Sequence, residues 1–448
     1  MAKYLTKKVK LDAVQVLSLG FAIVILIGAL LLTLPISSVS GEYTNFIDAI
    51  FTSTSAVCVT GLVTLDTGTY WSPFGQTIII ILIEIGGLGF MSLTTFIAIL
   101  LGKKITLRDR LLMQEAMNTF NLEGLVRMVQ YVFALTFSVQ FCGALLLSTQ
   151  FIPRFGFVKG IFYSLFHSIS AFCNAGFDLI GNFNSLVGYS SNVVILLTIS
   201  ILIIIGGLGF AVWLEIYNYK GAKRLSANSK MVLLMTTGLI IGGFLLILIF
   251  EYNNPNTLGN MNFKDKILNA YFASVSPRTA GFNSISTDGM SMSGKLVTIL
   301  LMFIGGSSGS TAGGLKTATF GILMFTVISV LRGREDTEVF NRRFSKDIVY
   351  RAFTLLVIAM ILVMVVTMIL TVTEPDQSFI NLLYEATSAF GTVGLTTGVT
   401  QQLSTIGKIV IAITMYFGRV GPVTVILALV TKKKKTGYKY PEAKILIG

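Results

Sequence analysis

Long apolar runs and short polar stretches alternate along the chain. The runs fall at residues 14–34, 75–101, 128–150, 193–217, 231–250, 297–331, 352–373 and 408–430. About 20 apolar residues at 1.5 Å per residue cover the roughly 30 Å of hydrocarbon in a bilayer, so the pattern predicts eight membrane-crossing helices. The first run is too long for the apolar core of a signal peptide and is read as a span. Between the two runs of each successive pair lies a weaker helical pattern, at about 46–56, 160–171, 264–275 and 379–389, too short to cross. These read as re-entrant helices, each followed by extended chain.

The short helices end in related sequences: "SAVCVTGLVTLDTG" from Ser55, "SAFCNAGFDLIG" from Ser170, "SVSPRTAGFNSIS" from Ser274 and "SAFGTVGLTTGVT" from Ser388. Their glycines, Gly61, Gly176, Gly281 and Gly394, are spaced by 115, 105 and 113 residues. A second landmark follows each glycine after 25, 30, 24 and 24 residues: "GGLGF" from Gly86 and again from Gly206, "GGSSG" from Gly305, and "GRVGP" from Gly418. Repetition at this level identifies the architecture before any single motif does. The prediction is an all-α polytopic membrane protein forming one domain of four tandem helix–pore-loop–helix units around a pseudo-fourfold pore. The units are 14–101, 128–217, 231–331 and 352–430, with a tail at 431–448.

Irregular backbone survives at membrane depth only where it is buried in protein or lines a wet cavity. Four such loops around one axis can present carbonyl oxygens in place of an ion's hydration shell. Glycine suits them because it tolerates positive φ, and helix C-termini aimed inward favour a cation. The candidate filter is Val59, Thr60 and Gly61; Asn174, Ala175 and Gly176; Thr279, Ala280 and Gly281; and Thr392, Val393 and Gly394. The ion would sit at the carbonyls of Thr60, Ala175, Ala280 and Val393. A single glycine of this kind is ordinarily a helix break or a packing contact; four in register point to a filter.

The run 297–331 is too long for one span and carries a polar insert at 305–315. Gly305, Gly306, Ser307, Ser308, Gly309, Ser310, Thr311, Ala312, Gly313 and Gly314 read either as a gating loop in a broken helix or as a kink with small-residue packing. At the aligned place where three units carry Gly87, Gly207 and Gly306, the fourth has Arg419. An arginine near mid-span costs roughly 2.5–3.5 kcal/mol on insertion scales, so it must face a cavity or a partner. It reads as a cation barrier beneath the filter or as a structural partner of Glu84. Lys316 receives a supporting role, paired locally or snorkelling.

Composition fits a membrane protein, with 53% hydrophobic and 12% charged residues and a mean hydropathy of +0.79. With the N- and C-termini inside, the cytoplasmic stretches hold 25 of the 34 Lys and Arg, as the positive-inside rule expects. The basic inner side sets topology rather than binding nucleic acid. Arg154, Lys159, Lys264, Lys266, Arg278, Lys295 and Lys408 are assigned to the outer segments. Cys58, Cys142 and Cys173 lack metal-binding spacing. No G-x-x-x-x-G-K-[ST] is present, so nucleotide control has to come from another chain. "GSSG" at Gly306–Gly309 with His167, the one histidine, formally offers a serine-protease dyad through Ser308. The two lie on opposite sides of the filter, and a protease leaves the repeat unexplained.

The pieces "TSAVCVTGL", "SAFCNAGF", "PRTAGFNS", "SAFGTVGL", "GGLGF" and "GSTAGGLKT" resemble the membrane subunit of the bacterial Ktr potassium-uptake systems, within the Trk/Ktr/HKT superfamily. The resemblance runs from "VQVLSLGF" to "YPEAKILIG". It implies potassium transport in the plasma membrane, no enzymatic activity, a homodimer among membrane lipid, and a cytosolic RCK-type regulatory ring that binds ATP or ADP. Sodium is then an activator, and the membrane chain carries no cofactor of its own. A serine in place of the first filter glycine accompanies sodium preference in this superfamily; the four glycines here imply potassium. The insert matches the family's intramembrane gating loop. A sodium-coupled symporter with alternating access is the alternative; repeats running in one direction with one broken helix favour a channel-like path.

Overall fold

A computed structural model describes residues 13–89, 92, 95, 99, 125–219 and 225–421. The first unit holds α1 (Ala13–Thr33), α2 (Phe46–Val57) and α3 (Pro73–Leu88). The second holds α4 (Leu125–Phe155), α5 (Phe157–Phe172), α6 (Val193–Gly207) and α7 (Phe210–Tyr217). The third holds α8 (Ala227–Glu251), α9 (Phe263–Val275), α10 (Met292–Phe303) and α11 (Thr317–Leu331). A two-stranded hairpin, β1 (Glu338–Val339) and β2 (Arg342–Arg343), leads to α12 (Lys346–Thr373), α13 (Phe379–Gly391) and α14 (Thr405–Val420). The predicted stretches 90–101 (apart from three positions), 102–124 and 422–448, including the tail, lie outside the described residues.

Helices α1, α4, α8 and α12 are long and apolar enough to cross a membrane, which makes this a multi-pass membrane protein. The second helix of each unit is shorter than its apolar run. Each starts at a side-chain cap: Ser72, Asn192, Ser291 and Ser404 accept the amides of Gly75, Ile195, Gly294 and Gly407. Each then stops early. Gly89 (φ +78°), Gly209 (φ +90°) and Gly421 (φ +94°) end α3, the α6 turn and α14, and α6 meets α7 at 98°. The expectation of one broken helix is therefore corrected: among the described residues the third unit is interrupted by its loop and the second bends sharply at Gly209, while α3 and α14 end at glycines of positive φ.

Small residues let the short helices enter the bundle. Ser53, Ser168 and Ser274 donate to the carbonyls of Ile25, Gln140 and Ile240 at 2.6–2.7 Å. A Cβ on Gly28, Gly143 or Gly243, one turn along each long helix, would crowd the same serine hydroxyls. The core around them is aromatic, with Trp71, Phe133, Phe151, Phe166, Phe272 and Phe390 fully or almost fully buried.

Candidate functional site: the glycine ring and the loop beneath it

The four loop glycines all adopt positive φ: +92° at Gly61, +70° at Gly176, +78° at Gly281 and +94° at Gly394. Two residues before each, Val59, Asn174, Thr279 and Thr392 are also left-handed, with φ of 58°, 60°, 74° and 50°. Three of these four are β-branched, for which such φ is a true outlier, and each costs about 1–3 kcal/mol that surrounding contacts must offset. The residues between do not share it, so the sign of φ alternates along each triplet.

The loops meet in a closed cycle. A Cβ on Gly61 would overlap the Ala175 carbonyl, one on Gly176 the Ala280 carbonyl, one on Gly281 the Val393 carbonyl, and one on Gly394 the Thr60 carbonyl. The same imagined atoms fall 3.0–3.2 Å from the next glycine's Cα. All twelve triplet residues are buried. Hydrogen bonds hold the loops to their short helices: the amides of Thr60, Ala175, Ala280 and Val393 donate to the carbonyls of Ser55, Ser170, Ser276 and Ser388 at 2.7–2.9 Å.

The second landmark now has a physical reason. A Cβ on Gly86, Gly206 or Gly418 would overlap the carbonyl of Val57, Phe172 or Phe390, near the end of that unit's short helix. The second helix can cross the end of the short helix only because it carries glycine there. On the same glycines pack the side chains of Val59, Asn174 and Thr392, and Thr279 packs on Gly305. Asn174 and Thr279 are hydrogen-bonded across units at 3.0 Å.

The insert from Ile304 to Lys316 lies directly under this ring. A Cβ on Gly313 would overlap Thr392 Oγ1, and Gly314 approaches Gly391. The loop is tied to the second unit: Ser307 and Thr311 amides donate to Gly207 and Gly206 at 3.0 and 3.4 Å, the Phe210 amide donates to Gly309 at 2.9 Å, and Thr311 Oγ1 donates to Phe172 at 3.3 Å. Ser310 Oγ closes on the Ser307 carbonyl, and Gly305 pairs with Leu315 at the loop's base. Ser308 lies on its partly exposed stretch and Gly306 carbonyl accepts the Thr317 amide at 3.0 Å.

Arg419 reaches the loop from the fourth unit. Its guanidinium donates to the Thr311 carbonyl and to Gly86 and Gly87 at the end of α3. The alternative pairing with Glu84 is not formed; Glu84 instead accepts from Gln140 at 3.0 Å and Cys173 at 3.3 Å. Lys316 donates to the Ala312 carbonyl at 2.6 Å, a local contact within the loop. His167 is buried with Nδ1 at the Tyr163 carbonyl and Nε2 accepting the Leu179 amide, so it forms no dyad with Ser308.

Several of the charges assigned to outer segments are buried or paired. Arg278 is only 7% exposed and turns to α8, donating to the Thr236 carbonyl at 3.3 Å. Lys408 is paired with Asp48 at 2.7 Å, Lys266 donates to the Tyr252 carbonyl, and Lys295 bonds Asn381 and Asp288. The signal for Arg278 stood in "PRTAGFNS", immediately before Thr279; counting it among the outer-segment charges hid it.

The chain matches the TrkH family, described as cation transport protein, over residues 7–437. It is 47% identical to the potassium/sodium uptake protein NtpJ of Enterococcus hirae, over 98% of both chains. It is 41% identical to the Ktr system potassium uptake protein B of Bacillus subtilis, over 99% of this chain and 98% of that one. Its fold is similar to the crystal structure of the potassium transporter TrkH from Vibrio parahaemolyticus, with a TM-score of 0.71 at 18% identity, covering 95% of this chain and 86% of that one.

Proposed function

This chain belongs to the TrkH family of cation transport proteins, not to an enzyme family, and from that premise we propose that it takes up potassium across the bacterial plasma membrane through the glycine ring. The observation that carries the proposal is the closed cycle of contacts from Gly61 through Gly176 and Gly281 to Gly394. In it the carbonyls of Thr60, Ala175, Ala280 and Val393 replace the ion's water. The four helix–pore-loop–helix units surround this filter. The loop at 305–316 is its gate, and Arg419 adds a fixed positive charge beneath it while holding the loop shut.

Three relatives are named as proteins of a Ktr system, a name that implies further components, and in this reading a cytosolic RCK-type ring binding ATP or ADP governs the gate. The membrane chain works as a homodimer, sodium activates it, and both termini face the cytoplasm. Expression in a bacterium stripped of its own potassium uptake tests the reading. Growth at low external potassium should be restored by the parent and lost with Gly281→Ser; growth that is equally good with both would remove the ring from the path.

A further inference from the structure

Arg278 begins the third filter loop, but its side chain leaves the ring and enters the seam between the second and third units. Nη1 donates to the Thr236 carbonyl at 3.3 Å, and Nη2 lies 3.5 Å from the Thr236 hydroxyl. A guanidinium has five N–H donors. Here Nε has no partner among the described residues, and no carboxylate among them forms an ion pair with Arg278. An ionisable group this deep in a membrane domain is by default a functional one.

The side chain lines a cavity of about 10 Å³, at the lower limit for one water, together with Thr236, Ile240, Gly207 and Gly306. Gly207 ends α6, and Gly306 opens the gate loop. The Gly207 carbonyl is occupied by the Ser307 amide at 3.0 Å. Displacing Ser307 breaks that bond and leaves a half-buried helix-end carbonyl short of a donor beside this cavity. Such a carbonyl favours a new donor from the protein.

We infer that Arg278 is a positioning residue for the displaced loop: its spare N–H groups cross the cavity and take the Gly207 carbonyl when Ser307 leaves. Arg278 then stabilises the conducting arrangement, opposite in sign to Arg419, which ties Thr311 of the loop to Gly86 and Gly87. The inference rests on the loop being a gate.

Potassium efflux from liposomes holding the full chain tests it, with Arg278→Gln and Arg278→Lys made in the parent and in a chain lacking Ser307 to Gly313. Arg278→Gln should lower flux about tenfold in the parent, the population change that one charge-assisted hydrogen bond supports, without altering cation preference. The lysine, which keeps the charge with fewer directional donors, should fall between. Neither change should matter in the loop-deleted chain, which has no closed loop to displace. Equal losses in both backgrounds would assign Arg278 to folding alone, and unchanged or raised flux in the parent would also overturn the inference. Should Arg278→Gln not fold, Arg278→Lys against the same two backgrounds decides. If deleting the loop does not itself raise flux, the gate reading fails, and this inference falls with it.

Discussion

Gly281 sits where its Cα faces the Val393 carbonyl of the next unit, and no side chain fits between them. Gly281→Ser must push that carbonyl back, Gly61→Ser must push back the Ala175 carbonyl, and both strain a φ near +80° to +90°. Potassium flux should fall at least tenfold, or the potassium-to-sodium preference should drop, as read from uptake of each ion by cells expressing the variants. Undiminished flux and preference would place the ion elsewhere. A second residue-scale prediction concerns Asp178, in the outer loop after α5, which accepts the Ile180 amide at 3.0 Å. Burial, with a smaller push from Asp66 and against opposing amide bonds, raises its carboxyl to about 7 from 3.8. The folded chain thus holds this proton more tightly than the unfolded one, so stability is lost as pH rises from about 4 to about 7 and stays lost above. Asp178→Asn has no proton to lose. It should melt with the parent at pH 4 and roughly 2–5 °C above it at pH 8 in a detergent thermal melt. Glycines and their spacing made the ring readable from sequence. The left-handed Val59, Thr279 and Thr392 were not readable, because β-branched residues disfavour that φ; Asn174, which tolerates it, offered the one local hint.

Removing Ser307 to Gly313 takes away the amides that bond Gly206 and Gly207 and the carbonyl that binds Arg419. The shortened chain should conduct several-fold faster than the parent in liposomes. Arg419→Gln should also raise flux, and combining it with the deletion should add little, because the two share one contact. Slower conduction by a folded, shortened chain would mean that the insert is not a gate. The short helices were predictable, with bounds within three residues of 46–57, 157–172, 263–275 and 379–391. The interruption of the third unit was predictable too, since a run 35 residues long is more than one span needs and carries its serines and glycines at the centre. The bend at Gly209 was hidden: "GGLGF" stood out as a repeated landmark, but nothing in its polarity separates a bend from a continuous helix. Its existence weakens one argument against coupled transport, since broken helices are common in alternating-access proteins. The argument from repeat direction does not depend on it.

Across the whole molecule, the fourth unit closes on the first through Gly394 and Gly61, through Lys408 and Asp48, and through Arg419 on α3. Repetition in the sequence pointed to four units, but the order of contacts around the ring came only from the folded chain. Charge position was the least legible property. Arg278 and Arg419 have the same composition as surface arginines, and only their surroundings show that one faces Thr236 and the other helix-end carbonyls. The central claim is that the ring of carbonyls from Thr60, Ala175, Ala280 and Val393, packed against the four glycines, passes potassium down its own gradient. Voltage across liposomes containing the purified chain, under opposed potassium and sodium gradients, addresses it directly. The reversal potential should follow the potassium gradient, stay nearly fixed when the sodium gradient is inverted, and shift toward sodium in Gly281→Ser. Potassium accumulating against its own gradient, driven by the sodium gradient alone, would contradict the account.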